Sequence, residues 1–167
     1  MLSESARMSS AAEARFRVQA PNSTPRAITV IALDATSEVA VRRLAGAGWP
    51  HSTFMIAGLA GQPGGLLRDL AGKARILVNE VRSADLIVMV AGPGGQAHAA
   101  SPIGQACSLQ RVTTTALVVG AGSASEGAPE SALSATLAQL RPWSQMAVIA
   151  NSDDSSRFGP SCTSNHC

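Results

Sequence analysis

The residues best placed for chemistry follow an apolar segment in the middle of the chain. Leu86–Ala91 is an unbroken apolar run, and residues 92–95 read Gly-Pro-Gly-Gly. Ser101 and Pro102 then combine a good N-cap residue with a first-turn proline, which predicts the start of a helix. Free backbone N–H groups of a glycine loop and the positive end of a helix dipole favour a bound anion. The sequence therefore predicts a phosphate-type loop between a strand and a helix.

Two side chains near this loop carry reactive groups. His98 lies within the loop, where its imidazole could contact an anion or transfer a proton. No carboxylate or cysteine accompanies His98 there, so a catalytic role is not favoured. We expect Cys107, on the following helix, to face the sheet as a small core residue. We therefore assign no catalytic residue.

Standard functional signatures are absent from the chain. Gly72 and Lys73 lack the upstream glycine and the following Ser/Thr of a P-loop. The first strand runs into Asp-Ala-Thr-Ser at residues 34–37, which excludes a dinucleotide fingerprint, and no Gly-x-Ser-x-Gly elbow is found. Three residues near the end of the chain offer only three metal ligands, so a solvated tail is the favoured interpretation there; they are Cys162, His166 and Cys167.

Length and composition restrict the class of protein. A chain of 167 residues, 46% of them hydrophobic, can bury the core of one domain. The net charge of +2, from 13 basic and 11 acidic side chains, gives no electrostatic case for a nucleic-acid partner. Apolar runs reach about six residues where a bilayer needs about 20, so we expect no membrane span. With only three cysteines, a reducing cytoplasm is the expected location.

The predicted elements alternate between strand and helix. Apolar segments predict five strands, at residues 27–33, 53–57, 86–91, 113–119 and 146–150. Their continuous apolar character indicates burial on both faces. Helical spacing covers residues 36–45 and 66–81, and further helices are predicted after Ser101 and from Pro129. The expected fold class is α/β, with a doubly wound, mostly parallel five-stranded sheet and helices on both faces.

Composition also predicts where the domain begins and ends. Residues 1–26 show little apolar periodicity and close with Pro21 and Pro25, which indicates a flexible N-terminal tail. Residues 152–167 are rich in Ser, Asp and Asn and are expected to form a flexible C-terminal tail. The predicted domain therefore covers residues 27–151.

In the order of its strands and loops, the chain resembles the nucleotide-binding half of the FtsZ/tubulin family of cytoskeletal GTPases. That family's glycine signature, Ala-Gly-x-Gly-Gly-Gly-Thr-Gly-Thr-Gly after a strand beginning Ala-Asp, is similar to residues 84–100, where Ala84 and Asp85 lead into Ala-Gly-Pro-Gly-Gly-Gln-Ala-His-Ala-Ala. Residues 124–127, Ala-Ser-Glu-Gly, are similar to its Phe-Glu-Gly loop, and Ala-Val-Ile-Ala-Asn at residues 147–151 is similar to its next strand. The likeness covers roughly residues 27–153.

The resemblance implies a Rossmann-like domain that binds GTP or GDP, in a protein associated with cell division. The phosphates would lie on the glycine loop and the start of the next helix, and the sugar would lie near the small-residue loop that follows the fourth strand. The residues implied are Gly92, Gly94, Gly95, Gln96, His98 and Ser101 for the first group, and Ser123, Ser125 and Glu126 for the second.

Departures from the family pattern weaken the expected affinity. Asp34 stands in a first phosphate loop that is nearly all glycine in the family, and its charge would repel a polyphosphate by roughly 1 kcal/mol or more. Residues 96–100 replace the Gly-Thr-Gly-Thr-Gly run, so fewer backbone N–H groups can close on a phosphate. The segment whose acidic residues activate water in the next subunit has no counterpart. We expect weak nucleotide binding and no hydrolysis.

Three functions stay open on the sequence alone. The first is a divergent, non-hydrolysing FtsZ-like GTP-binding domain in a cell-division or cytoskeleton-associated protein. The second is a protein-interaction scaffold that has lost nucleotide binding, and the third is a small α/β enzyme that binds a phosphorylated substrate. For the partner we expect a full-length FtsZ-type subunit, which this chain would cap through the loops at residues 34–37, 92–100 and 120–127.

Overall fold

The computed structural model describes residues 25–58, 65–120 and 130–150. These residues form one seven-stranded sheet in the order β4-β3-β2-β1-β5-β6-β7. The strands are β1 (Ile28–Ala32), β2 (Ser52–Ala57), β3 (Leu66–Asp69), β4 (Ala74–Ile76), β5 (Leu86–Ala91), β6 (Thr113–Val119) and β7 (Met146–Ala150). The helices are α1 (Ala35–Gly46), α2 (Leu77–Arg82), α3 (Ala100–Gln110) and α4 (Glu130–Leu140), and the short 3-10 helix Arg141–Trp143 follows α4.

The five strands predicted from sequence form the parallel part of this sheet. Strands β2, β1, β5, β6 and β7 are adjacent and parallel, and Ile28 of β1 pairs with Ser52 on one side and Leu86 on the other. If these five parallel strands are renumbered 1 to 5 along the chain, their order across the sheet is 2-1-3-4-5, which is one of the two common orders of doubly wound sheets. The α/β class is confirmed, but the described sheet has seven strands and not five.

The two additional strands, β3 and β4, form an antiparallel hairpin where the apolar spacing predicted a helix over residues 66–81. That prediction was wrong, because a tight turn interrupts the segment. The Asp69 carboxylate accepts hydrogen bonds from the backbone N–H groups of Ala71 (3.0 Å) and Lys73 (2.9 Å), and Gly72 adopts a φ of +85° that suits glycine. Only Leu77–Arg82 is helical in this stretch.

Helices cover both faces of the sheet. On one face, Val41 of α1 packs on a small cluster from the central strands, which consists of Ala32, Ile56 and Val90. On the other face, α2, α3 and α4 pack over the larger cluster, whose most buried side chains include Ile31, Met55, Ile87, Met89, Ile103 and Leu140. The sheet is therefore covered on two sides, as the continuous apolar strands predicted.

Strand β7 departs from that prediction. It is an edge strand, and among the described residues neither of its faces is fully covered, since Met146 is 58%, Val148 41% and Ile149 46% exposed. An apolar run of this length can thus occupy the open edge of a sheet, and burial on both faces does not follow from the run alone.

Two further expectations concern the limits of the domain. Among the described helices, none combines the length and the hydrophobicity that a membrane crossing requires. The predicted tails at residues 1–26 and 152–167 fall almost wholly outside the described residues. Of them the structure describes Pro25 and Arg26, which are exposed and precede β1.

Candidate functional site

The carboxyl ends of β1 and β5 lie side by side in the centre of the sheet. Ala32 pairs with Val90 in register, and the Leu33 N–H donates to the Val90 carbonyl at 2.9 Å. From β1 the chain continues to β2 on one side, whereas β5 leads to β6 on the other. This reversal of direction creates a crevice above the strand ends, which is where open α/β sheets bind ligands.

Asp34 connects the two loops that border this crevice. It is the N-cap residue of α1, where one carboxylate oxygen accepts the Ser37 N–H at 2.8 Å and the Ser37 hydroxyl accepts the Asp34 N–H at 3.1 Å. Its other oxygen accepts the Gly92 N–H at 2.8 Å. The carboxylate therefore lies against the glycine loop, whose N–H groups were predicted to bind a phosphate.

Three further N–H groups of the glycine loop also have partners. The Gly94 N–H donates to Thr136 Oγ1 at 2.9 Å, the Gly95 N–H to the Gly92 carbonyl at 3.1 Å, and the Ala97 N–H to Gln139 Oε1 at 3.0 Å. Together with Gly92, four donors are paired within the chain. An incoming anion would have to displace a protein acceptor from each of them.

Helix α4 supplies two of these acceptors, which sequence reasoning missed. Thr136 is fully buried, and its hydroxyl lies 3.1 Å from the Ala132 carbonyl and 3.3 Å from the Gly92 carbonyl, to one of which it donates. Gln139 is partly buried on the same side of the helix. The sequence contained one signal of this contact. Thr136 and Gln139 are polar residues at i and i+3 on a helix whose other packed side chains are leucines.

Close packing explains why two positions in the loop are glycine. A Cβ on Gly92 would lie 2.8 Å from the Thr36 Cβ, and a Cβ on Gly95 would lie 2.7 Å from the Asp34 Cγ. Neither glycine adopts the left-handed conformation, whereas Gly94 does, with a φ of +73°. These glycines let the loop approach α1, and this need exists without any ligand.

The other predicted site residues take no part in the hydrogen bond between Asp34 and Gly92. Gln96 and His98 are exposed on the loop. Ser101 is not the N-cap of α3, as the sequence indicated. The N-cap is Ala99, two residues earlier, and it makes no side-chain hydrogen bond. The Ser101 hydroxyl instead lies 3.4 Å from the Gln105 side-chain amide. The three predicted sugar-contacting residues lie outside the described residues; they are Ser123, Ser125 and Glu126.

A cavity of about 350 Å³ opens beside Asp34, towards β2 and β3. It combines a buried apolar floor with charged and amide-bearing walls. Its lining residues are Leu33, Asp34, Ala35, Glu38, Ile56, Ala57, Gly58, Arg68, Gln96, His98 and Ala99. The volume lies at the lower end of the range found for small-molecule sites.

Cys107 lies away from this cavity. It lies on α3 and is 1% exposed in the core, as expected from sequence. Burial raises the pKa of its thiol to about 11. A thiol with this pKa stays protonated at neutral pH and is a poor nucleophile. Within the described part of the chain, no group of three or more His, Cys, Asp or Glu side chains is placed to hold a metal ion.

A scan against protein-family models gives no match for this chain, and a search of curated proteins gives none either. The FtsZ/tubulin assignment therefore remains a prediction from the motifs at residues 84–100 and 124–127.

Proposed function

We propose that this chain is an interaction module, built on a divergent FtsZ-like domain, whose carboxyl-end loops bind a protein partner in place of a nucleotide. The observation that carries the proposal is the hydrogen bond from the Gly92 N–H to the Asp34 carboxylate at 2.8 Å. The Gly92 N–H thus donates to a carboxylate of the chain itself and is not free for a phosphate. The loop is consequently ordered without a ligand, which suits a preformed binding surface.

The cost of displacing Asp34 supports this choice over nucleotide binding. A hydrogen bond to a charged group contributes about 1.5–3 kcal/mol. Breaking the bond between Asp34 and Gly92 would therefore lower the affinity for a competing phosphate by roughly ten- to a hundredfold. The charge of the displaced carboxylate would remain nearby and repel the phosphate as well. We infer that nucleotide affinity is low and that the module does not hydrolyse GTP.

Isothermal titration of GTP and GDP into the protein and into Asp34→Ser tests this reasoning. Serine keeps an N-cap acceptor for Ser37 but is too short and uncharged to replace the carboxylate at Gly92. We expect no micromolar binding by the natural chain and a measurable gain in the variant. Asp85→Ser is the matched control, because Asp85 accepts the Ala27 N–H at 2.8 Å at the opposite end of the sheet. Nanomolar binding by the natural chain would refute the proposal.

For the partner we propose a full-length FtsZ-type subunit in the cytoplasm, on the strength of the sequence resemblance. In that family the nucleotide face of one subunit meets the next subunit, so a chain that docks through the corresponding face would occupy the end of a filament. Sedimentation of FtsZ polymer with equimolar chain tests the partner separately from the nucleotide question. Reduced polymer mass is expected, and the Thr36→Arg variant, which alters the exposed start of α1, should restore it. Unchanged polymer mass with the natural chain would exclude capping.

Weak, non-hydrolytic GTP or GDP binding is the second candidate. The cavity beside Asp34 favours it, since this opening lies at the same edge of the sheet as the glycine loop. The two candidates differ in one result. Micromolar or tighter nucleotide binding by the natural chain that involves Gln96 and His98 would support the nucleotide-binding domain.

A further inference from the structure

Arg68 on β3 differs from the other arginines of the described chain. Its side chain is partly buried and lines the cavity beside Asp34, whereas the other described arginines are all exposed. Among the described residues, no carboxylate forms an ion pair with Arg68; the two ion pairs found there involve Arg42 and Arg75. A guanidinium that is partly withdrawn from water without a partner is a favourable place for an anion.

The acidic side chains of the same cavity already have hydrogen-bond partners within the chain. One oxygen of Glu38 accepts two hydrogen bonds from the Arg42 guanidinium, at 2.8 and 3.0 Å. Both oxygens of Asp34 accept backbone N–H groups, from Ser37 and Gly92. Arg68 differs from them, because among the described residues no side chain forms an ion pair with it.

The floor of the cavity has a different chemistry. Leu33 is 8%, Ile56 7% and Ala57 7% exposed, so a ligand would meet apolar surface at the ends of β1 and β2. Arg68 pairs in register with Ile56, which places the guanidinium-bearing residue next to this floor. Gln96 and His98 also line the cavity and can donate hydrogen bonds.

We propose that this cavity binds a small organic acid, with its single anionic group on Arg68 and its apolar body over Leu33, Ile56 and Ala57. A cavity of about 350 Å³ accommodates a molecule of this size. A polyphosphate does not fit the charges, because the two carboxylates on the α1 wall would face its additional negative groups. This proposal goes beyond partner binding because it concerns a small ligand inside the cavity, which shares Asp34, Gln96 and His98 with the loops proposed to meet the partner.

Titration of the isotope-labelled protein, followed by amide NMR, tests this proposal with hexanoate, acetate, inorganic phosphate and GTP as probes. Hexanoate is expected to shift amides that line the cavity, with a millimolar dissociation constant. Acetate should bind at least about tenfold more weakly, because it lacks the apolar body. Inorganic phosphate that shifts the same amides through Arg68 would support the anion site and identify the bound group as a phosphate.

Variants separate the guanidinium from general effects of charge. Arg68→Gln should weaken hexanoate binding at least about tenfold, and Arg43→Gln, which removes an exposed arginine of α1 outside the cavity, should leave it unchanged. If Arg68→Gln does not fold, Arg68→Lys keeps the charge without the planar fork and should bind more weakly than the natural chain. The proposal is overturned if no probe shifts the cavity amides up to about 20 mM. It is also overturned if Arg43→Gln weakens binding as much as Arg68→Gln, or if GTP binds there more tightly than hexanoate.

Discussion

Substitution of Gly95 by alanine should break the contact between the glycine loop and α1. The new Cβ would lie 2.7 Å from the Asp34 Cγ and 3.0 Å from the Gly92 carbonyl oxygen. Because carbon atoms prefer separations of about 3.5–4.0 Å, the carboxylate must move by roughly 1 Å. Gly95 has no left-handed φ, so this steric overlap, and not backbone strain, would cause the effect.

The magnitude follows from the two hydrogen bonds that the displaced carboxylate would lose. Asp34 accepts the N–H groups of Ser37 and Gly92 at 2.8 Å each. Loss of an N-cap costs about 1 kcal/mol. Leaving the N–H of the buried Gly92 unpaired costs about 1–3 kcal/mol more. We therefore expect Gly95→Ala to lower the free energy of unfolding by about 2–4 kcal/mol, a large share of the 5–15 kcal/mol typical of a domain.

Urea unfolding followed by far-UV circular dichroism measures this loss in a double-mutant cycle. Gly95→Ala and Asp34→Ala each remove the same carboxylate contacts, so their combined effect should fall short of the sum by at least about 1 kcal/mol. Gly46→Ala is the control, because a Cβ there has no atom within 4 Å and should leave stability unchanged or slightly raised. Additive effects, or a cost below about 0.5 kcal/mol for Gly95→Ala, would refute the role given to Asp34.

Three further predictions concern other parts of the fold. Gly104→Ala should cost about 1–3 kcal/mol in urea unfolding, despite the better helix propensity of alanine, because its Cβ would lie 2.6 Å from the Trp143 Cβ. With the other two cysteines replaced by serine, Cys107 should react with a thiol reagent only on unfolding. Because its pKa of about 11 exceeds the ordinary 9.0, its contribution to stability is complete below pH 9 and is lost as the pH rises towards 11. Urea unfolding measured across that pH range would show this loss. Asp69→Asn should speed amide exchange at Lys73, whose N–H lowers the pKa of Asp69. Because that pKa is lowered, the natural chain should keep the bond down to the ordinary value of 3.8 and lose it only at lower pH, which exchange relative to the intrinsic rate at each pH would show.

Local pattern was sufficient for much of the fold. The apolar segments at residues 86–91 and 113–119 coincide with β5 and β6, because a strand in the centre of a parallel sheet is apolar along most of its length; the segment at residues 146–150 coincides with the edge strand β7. The helix predicted over residues 36–45 from its apolar spacing also matches α1, and the structure adds the capping box of Asp34 and Ser37 at its start. These features depend on neighbours in sequence.

The hairpin of β3 and β4 shows where local pattern was ambiguous. Leu66, Leu70 and Ile76 fit a helical spacing, and only the turn at Gly72 with its positive φ divides the segment into two strands. The choice depended on pairing with β2, which lies outside the segment. Short apolar spacings of this kind suit either element, and the adjacent sheet edge decides between them.

Only the tertiary structure decided how the glycine loop is used. The local pattern predicts a strand, a glycine-rich bend and a helix, and such a loop has the same sequence whether its N–H groups bind a phosphate or a side chain. The acceptors come from distant segments, since Asp34 lies 58 residues from Gly92, and Thr136 lies 42 residues from Gly94. Backbone donors must be paired when they are buried, but nothing in the local sequence says by which group. The packing of α1 and α4 against the ends of β1 and β5 brings these acceptors to the loop, and that arrangement exists only in the folded chain.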